Sequence, residues 1–300
     1  MFKHILVPLD GSQLAESTLP VAATLAEQLH ATVILIHVIE KSVHTGVHGD
    51  VHLSKADEAD AYLHKISETA FPATVKVSYH VHEAEVENVA NSIVAHKDEF
   101  THDLVVMCTH GRGRAMNLLF GSIAQQVIAK GTTPVLLIHP DRPKHIEVTH
   151  CQTMLVPLDG NPQHEQSLQV ATDLAAACSA ILHLITVVET FTTLSGRWTS
   201  PSRFLPGTTS RMLDMSVQDA EAYLDEMLEQ ISEKGVSATA TVLRGDPAEH
   251  IRDAAQKVGA DVIVLGTHGK LGMYALYEGS VANKVCCTCD VPLLLIPVGE

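Results

Sequence analysis

The chain has 300 residues, of which 46% are hydrophobic and 18% are charged, and its formal net charge is −15. This length suits two domains of ordinary size, and this composition excludes a disordered chain. The negative charge argues against a general nucleic-acid binder, because such proteins need clustered Lys and Arg to contact phosphates. An anionic ligand would therefore have to be held by backbone amides.

Short apolar runs argue against a membrane protein. The longest runs, such as VILIHVI and DVIVLG, are far shorter than the ~20 residues that span a bilayer. The N-terminus MFKHILVPLD has no long apolar segment followed by a cleavage site, so we expect a cytoplasmic protein without membrane partners. In that compartment the six cysteines are expected to be reduced packing residues: Cys108, Cys151, Cys178, Cys286, Cys287 and Cys289.

In the first half of the chain, short β-branched runs alternate with longer segments of helical periodicity. Five strands are predicted at residues 4–9, 32–38, 73–81, 103–108 and 134–139. Helices are predicted between them at residues 18–29, 56–66, 86–97 and 117–130. Strands that are apolar on both faces belong in a parallel sheet covered by helices on both sides, which predicts an open doubly wound, Rossmann-like α/β domain.

The second half of the chain repeats the first. HILVPLDGS at 4–12 recurs as TMLVPLDGN at 153–161, and DLVVMCTHG at 103–111 recurs as DVIVLGTHG at 261–269. The polar, proline-containing stretch PDRPKHIEVTHC separates the two copies, as linkers often do. We therefore predict two tandem five-stranded domains, a first module at residues 1–145 and a second module at residues 150–300.

The two modules differ by insertions between predicted elements. The second module carries an extra polar loop, TFTTLSGRWTSPSRFLPGTTS, at residues 190–210. Trp198 and Phe204 within it either cover a ligand or partner or pin the loop to the domain. The first module has a longer connection, HKDEFTHD, at residues 96–103, before its fourth strand.

A glycine-rich segment follows the fourth strand of the second module. In GTHGKLGMYALYEGS, the residues Gly266, Gly269, Gly279 and Ser280 form a G-x2-G-x9-G-[ST] pattern, and residues 273–287 are predicted to form the next helix. Glycines let the backbone approach an anion closely, and a nearby helix N-terminus adds a partial positive charge. In a doubly wound sheet, ligands bind at this edge, beside the first and fourth strands. A plain strand-to-helix turn is the alternative interpretation of an isolated pair of such glycines.

With this pattern and the opening V-P-L-D-G, the whole chain resembles the universal stress protein family, as a tandem pair. The resemblance implies ATP or a related adenine nucleotide, with Asp159 beside the nucleoside, the backbone of Val187 against the adenine, and Gly269, Gly279 and Ser280 around the phosphates. It also implies that the two fifth strands associate, so that the modules pack as a pseudo-dimer. Association of two tandem chains into a homodimer is left open.

The first module carries the corresponding motif in degenerate form. Its candidate nucleotide-binding residues under the same resemblance are Asp10, Val38, Gly111, Gly121 and Ser122. Cys108 stands where the second module has Gly266, and its side chain occupies space where the pattern has bare backbone. We therefore expect the second module to hold the stronger site.

Other polar residues of the two loops are candidates for phosphate contacts. They are Arg112, Arg114 and Lys270, together with His110 and His268, which occupy equivalent positions. Solvated basic residues and histidines bonded to the backbone are the alternatives. Asp10 and Asp159 either hold a ribose or Mg²⁺, or serve as ordinary Asp-Gly turns.

No catalytic residue is assigned from the sequence. The P-loop pattern G-x-x-x-x-G-K-[ST], the G-x-S-x-G nucleophile elbow and the H-E-x-x-H helix have no match in the chain. The leading hypothesis is a regulatory protein in stress response that binds ATP, with or without Mg²⁺. A slow ATPase or nucleotidyl transferase and a ligand-free interaction module are the alternatives.

Two further clusters are assigned no ligand. His44, His48 and His52 follow one another at intervals of four, but Gly46 and Gly49 make a helix with a metal-binding face improbable, and an exposed loop is the expected state. The Cys286, Cys287 and Cys289 group lacks a C-x-x-C partner and is expected to pack in the interior. No metal ligand is therefore assigned.

Overall fold

The computed structural model describes residues 1–40, 53–86, 88–109, 122–139, 151–162, 165–194, 205–268 and 280–298. In the first module the strands are β1 (His4–Pro8), β2 (Thr32–Glu40), β3 (Val77–Val86), β4 (Leu104–Cys108) and β5 (Val135–Ile138). Its helices are α1 (Gln13–Glu16), α2 (Leu19–Leu29), α3 (Ala56–Thr69), α4 (Val89–Ala95), α5 (Lys97–Phe100) and α6 (Ser122–Lys130).

The second module repeats this alternation. Its strands are β6 (Thr153–Pro157), β7 (Ile181–Val188), β8 (Ala238–Arg244), β9 (Val262–His268) and β10 (Leu293–Val298). The helices in its described part are α7 (Glu165–Cys178), α8 (Pro206–Glu233), α9 (Pro247–Val258) and α10 (Val281–Thr288). None of the helices in the described ranges is both long enough and apolar enough to cross a membrane.

The described strands form one ten-stranded sheet in the order β3-β2-β1-β4-β5-β10-β9-β6-β7-β8. Each module contributes five parallel strands, and the two halves meet where β5 pairs antiparallel with β10. In that pairing Leu137 lies opposite Leu293 and Val135 lies opposite Leu295. The predicted doubly wound α/β fold and the association of the fifth strands are both confirmed.

Apolar residues on both faces explain why helices cover the sheet from both sides. Ile5 and Leu6 are neighbours on β1, and both are fully buried, but they belong to different hydrophobic cores. Each core runs through both modules, since Leu155 and Leu293 join Leu6 in one of them. Successive strand residues point to opposite faces, so a strand without polar positions must be covered twice.

In each module, an aspartate before the fourth strand binds the start of the first strand. The carboxylate of Asp103 accepts hydrogen bonds from the backbone N–H groups of Lys3 (2.7 Å) and His4 (2.9 Å). Asp261 accepts from Gln152 (2.8 Å) and Thr153 (2.9 Å) at the equivalent place. Each carboxylate satisfies the N–H groups at the start of the first strand and so aligns it with the fourth strand.

The helix predicted over residues 273–287 is interrupted at Ser280, and residues 273–279 lie outside the described residues. Ser280 has an extended backbone (φ −69°, ψ 143°), and its side chain accepts a hydrogen bond from the N–H of Asn283, so α10 begins at Val281. A serine in this position starts the helix, because its hydroxyl oxygen accepts from an N–H group of the first turn that lacks a backbone acceptor. The apolar periodicity of the preceding segment concealed this boundary.

Four other predicted features are corrected. The insertion predicted as a loop over 190–210 ends inside α8, which Pro206 starts with a φ angle suited to a first turn. The connection at 96–103 contains the short helix α5. The third strand extends to Val86, and the helix predicted from residue 86 starts at Val89, because the Asn88 side chain caps it by accepting from the N–H of Asn91 (2.9 Å).

Candidate nucleotide-binding crevice

The carboxyl ends of β6, β7 and β9 open onto a crevice of about 790 Å³, which we call the second crevice. Asp159 follows β6, Val187 lies on β7 and Gly266 lies on β9, and all three line it. The strand order reverses here, since β6 pairs with β7 on one side and with β9 on the other. This is the place where doubly wound sheets bind ligands, and the volume lies within the range of about 300–1,000 Å³ typical of small-molecule sites.

Asp159 is held by a turn at the edge of the crevice. Its Oδ1 accepts a hydrogen bond from the N–H of Asn161 (3.0 Å), and Gly160 between them has a φ of 74°. A residue with a side chain rarely adopts this left-handed conformation, so the Asp-Gly sequence fits the turn. The first module repeats the turn, where Oδ1 of Asp10 accepts from the N–H (2.9 Å) and Oγ (2.6 Å) of Ser12.

The walls of the second crevice are largely apolar. Ile185 and Val187 come from β7, Leu265 comes from β9, and Met212 and Leu213 come from α8. Such a surface suits the faces of a planar base, while the carboxylates of Asp159, Glu189 and Asp219 at the rim suit hydroxyl or amino groups. Ile128 of α6 also lines the second crevice, so the first module contributes to this wall.

The N-terminal end of helix α10, which carries a partial positive charge, also lines the second crevice. Ser280, Val281 and Ala282, the cap and first residues of α10, line it together with Gly266. Gly266 lies opposite Ile296 in the β9–β10 pairing, so its backbone is fixed within the sheet. A helix N-terminus beside a residue without a side chain provides N–H donors and a partial positive charge for an anion.

One buried hydroxyl in the second crevice has no hydrogen-bond partner among the described residues. Thr186 is 7% exposed and lines the crevice, and no partner for its Oγ1 is found in the described part of the chain. Leaving a buried hydroxyl unpaired costs about 1–3 kcal/mol. A ligand with a polar group at this position would remove that cost, so Thr186 is a polar position that the sequence did not indicate.

A tyrosine and a glutamate next to the turn aspartate are repeated in both modules. Burial, together with a hydrogen bond and the negative charge of Glu165, raises the pKa of Tyr223, which lines the second crevice. In the first module Tyr62 donates to Oε1 of Glu16 (2.9 Å), and burial and this bond raise its pKa. The sequence repeats at these tyrosines as well, since DAYL at residues 60–63 recurs as EAYL at residues 221–224.

Other residues missed from sequence belong to the insertion and to the helix that follows it. Leu194 of the insertion and Met212, Ser216 and Asp219 of α8 line the second crevice. The signal available in the sequence was the insertion itself, together with the helical periodicity continuing from it. Their place over the crevice depends on the packing of α8 against β7 and β8, which the pattern alone does not reveal.

Several predicted ligand-binding residues fall outside the described residues. They are Gly269, Lys270 and Gly279 in the second module, and His110, Gly111, Arg112, Arg114 and Gly121 in the first. Trp198, Phe204 and the three histidines His44, His48 and His52 also fall outside them. The backbone of His268 ends β9 opposite Val298, and Ser122 begins α6, but the side chains of these two residues are not described.

The equivalent first crevice is much smaller, at about 110 Å³. Asp10, Val38 and Cys108 line it, at the positions that Asp159, Val187 and Gly266 hold in the second module. Burial raises the pKa of the Cys108 thiol to about 12, and the negative charge of Asp10 contributes to this shift. Cys108 is therefore a neutral group that fills space at this edge.

A histidine further narrows the first crevice. His37, the counterpart of Thr186, is buried, and its Nδ1 lies 2.8 Å from the carbonyl oxygen of Leu9 while its Nε2 lies 3.0 Å from that of Leu53. The ring thus connects the end of β1 to the segment that precedes α3. Leu53 also lines the first crevice, which has no counterpart of the α8 wall among its described residues.

Two of the three cysteines near the C-terminus are buried in the interior. Cys286 and Cys289 are buried in the apolar core, and the Cys287 thiol donates to the carbonyl oxygen of Asn283 (2.7 Å). All six cysteines of the chain lie among the described residues, and none of them forms a disulfide.

Comparison with known proteins adds to this geometry. The universal stress protein family model matches residues 1–139 and again residues 150–297. A universal stress protein of Mycobacterium tuberculosis is 26% identical over 307 residues, covering 97% of this chain and 96% of that protein. A universal stress protein of Bacillus subtilis is 29% identical over 147 residues, which are 48% of this chain and 97% of that protein.

A solved structure has the same fold. The crystal structure of a universal stress protein from Archaeoglobus fulgidus superposes with a TM-score of 0.73 over 98% of both chains, at 17% identity. At this identity the likeness concerns the fold alone. With the family model matching both halves, the chain belongs to the universal stress protein family and carries two copies of its domain.

Proposed function

We propose that the second crevice binds ATP or a related adenine nucleotide and that this binding has a regulatory role. The observation that carries the proposal is the 790 Å³ crevice at the strand-order reversal, with Asp159, Val187 and Gly266 on its three strands. Membership of the family and the glycine pattern of residues 266–280 give the ligand class.

In the proposed complex, each part of the nucleotide lies where the chemistry of the walls suits it. The adenine lies against the apolar surface of Val187 and Met212, and Asp159 accepts a hydrogen bond from a ribose hydroxyl. The phosphates lie toward Gly266 and the N-terminus of α10. No basic side chain lines the described part of the crevice, so backbone N–H groups and the helix dipole carry the interaction with the phosphates there.

The regulatory role follows from the elements that the nucleotide would touch. Leu194 of the insertion and Met212 of α8 line the second crevice, and the same segments expose Phe191 (48%), Leu205 (58%) and Met215 (61%). Exposed apolar side chains near a ligand site are suited to partner binding. Occupation of the crevice would therefore alter a surface that a protein partner can contact.

Calorimetric titration of the full chain with ATP, GTP and ATP plus Mg²⁺ tests the proposal. We expect one strong site per chain, preference for ATP over GTP, and weaker or no binding at the first crevice. Absence of ATP binding at millimolar concentration would contradict the proposal. Chromatography of the same samples after several hours measures ADP or AMP formation, which separates a binding protein from a slow ATPase or nucleotidyl transferase.

A further inference from the structure

Three histidines meet at the outer edge of the first module, away from the first crevice. They are His80 and His82 on β3 and His96 at the end of α4, and their ligand nitrogens all lie within 4.8 Å of one another. Nδ1 of His82 and Nε2 of His96 are 3.2 Å apart. Two nitrogen ligands of a tetrahedral ion, each at 2.0–2.1 Å from it, lie about 3.3 Å apart, so this pair already has the required spacing.

The fold explains how residues of different elements come together. His80 and His82 are two positions apart on a strand, so they point to the same face of the sheet. That face is covered by α4, whose Ile93 is buried in the core. The helix ends at His96, which is 7% exposed and therefore lies at the boundary between the helix end and the edge strand.

Hydrogen bonding orients the His96 ring for metal binding. Its Nδ1 lies 2.6 Å from the carbonyl oxygen of Ser92, and because a carbonyl only accepts, Nδ1 carries the hydrogen. In the neutral ring, Nε2 then presents its lone pair toward His82. A backbone carbonyl bonded to the second ring nitrogen is the usual way in which proteins fix a metal-binding histidine.

Aromatic packing and a nearby carboxylate complete the cluster. The Phe100 ring stacks on His96 with centroids 5.2 Å apart and meets the edge of His80 at the same distance. Oε2 of Glu99 is 3.6 Å from Nε2 of His96, and the Glu99 side chain is 59% exposed. Lys97 is directed elsewhere, since its Nζ donates to Oγ1 of Thr132 (2.7 Å).

We propose that His80, His82 and His96 bind Zn²⁺, with Glu99 or water as the fourth ligand. Three imidazoles and an oxygen ligand form a donor set that suits this ion. Bound Zn²⁺ would tie β3 to α4, and Val89 and Ile93 of α4 line the first crevice.

The second module provides the design of the test. By strand register, Thr241 and Leu243 on β8 occupy the positions that His80 and His82 hold on β3. The substitutions His80→Thr and His82→Leu therefore install residues that the same fold already accepts. His183→Gln, at a partly exposed histidine of β7, is the matched control.

The full chain, without a histidine tag and stripped by a chelator, is titrated with Zn²⁺ in competition with a chromophoric chelator. We expect one tight equivalent in the parent and in His183→Gln, and at least a hundredfold weaker binding in His82→Leu and in His80→Thr. Zn²⁺ should also raise the Tm of the parent but not of these two variants. An unchanged Zn²⁺ affinity in both β3 variants, or no tight equivalent in the parent, would overturn the proposal.

Substitution of Co²⁺ for Zn²⁺ gives a second measurement that needs no variant. A tetrahedral site with nitrogen and oxygen ligands gives visible bands without the near-ultraviolet thiolate charge-transfer band. That band would assign the metal to cysteines instead and would refute the histidine site.

Discussion

The two crevices lie at equivalent places in two copies of one domain, yet their volumes are about 790 Å³ and about 110 Å³. Three differences among the described residues accompany this contrast. Cys108 replaces Gly266, His37 replaces Thr186, and α8 provides a wall of the second crevice that has no counterpart among the described residues lining the first. The turn aspartate and the tyrosine–glutamate pair are present in both modules.

The comparison shows that the framework of the site is common to both modules, whereas the space available to a ligand differs between them. The sheet, the Asp-Gly turn and the tyrosine recur in both modules because they belong to the framework that the two modules share. Whether a ligand can enter depends on a few side chains that point into the crevice. The two copies thus share the architecture but differ in crevice volume, and exchanging single residues between them tests that interpretation.

The largest expected effect comes from exchanging the residues at the end of the fourth strand. Gly266→Cys should weaken ATP binding about 100-fold. The added side chain would overpack the crevice when the nucleotide is bound, and overpacking costs about 1–3 kcal/mol. The protein should remain folded, because Cys108 occupies the same position in the first module. Calorimetric titration measures the affinity, and the reciprocal Cys108→Gly should produce a measurable gain at the first crevice. Unchanged ATP affinity in Gly266→Cys would remove the basis of the comparison.

A smaller loss of affinity is expected at the turn aspartate. Asp159→Ala should weaken ATP binding about 30-fold, because a hydrogen bond to a charged group contributes about 1.5–3 kcal/mol. The same change at Asp10 is the matched control, and it should leave the strong site unaltered. Equal losses for the two variants would show that the aspartates act on folding and not on ligand binding.

A pH dependence of stability is expected at His102, which lies directly before Asp103 in the first module. Burial lowers the pKa of His102 to about 4 from its ordinary value of 6.5, and the charge of Lys97 contributes. The unfolded chain therefore takes up a proton near pH 6.5 while the folded chain does not, so the free energy of unfolding falls between about pH 6.5 and pH 4. The gap between a pKa of 6.5 and one of about 4 corresponds to about 3 kcal/mol of that fall.

His102→Ala installs the residue of the second module, Ala260, and should flatten this part of the pH profile. Urea unfolding at several pH values measures it. His64→Ala, at an exposed histidine, is the control, and its free energy of unfolding should keep the parent's dependence on pH. A parent-like slope in His102→Ala would assign the pH dependence to other groups.

The smallest effect is expected at the unpaired hydroxyl of the second crevice. Thr186→Val should raise the free energy of unfolding of the ligand-free protein by about 1 kcal/mol, because it removes a buried group that lacks a partner in the described chain. Thr172→Val is the control, since Oγ1 of Thr172 already donates to the carbonyl oxygen of Leu168 (2.8 Å). Equal changes in stability would mean that the hydroxyl of Thr186 is satisfied.

Much of the fold could be predicted because its signals are local or repeated. The apolar runs of β1, β4 and β10, and the match of Asp10 with Asp159, required only the sequence. Helix boundaries were less predictable, since the cap at Ser280 depends on which hydroxyl reaches a free N–H. The insertion was recognised, but its continuation into α8 was not, because its polar residues also suit a loop.

The sequence by itself determined the duplication, the fold class, the turn aspartates and the exchange of glycine for cysteine, since each rests on residue type, periodicity or alignment of the two halves. The tertiary structure alone decided the crevice volumes, the unpaired Thr186 and the meeting of His80 and His82 with His96. These features arise from contacts between residues distant in the chain. Such contacts depend on how helices lie over strands, which no local pattern specifies.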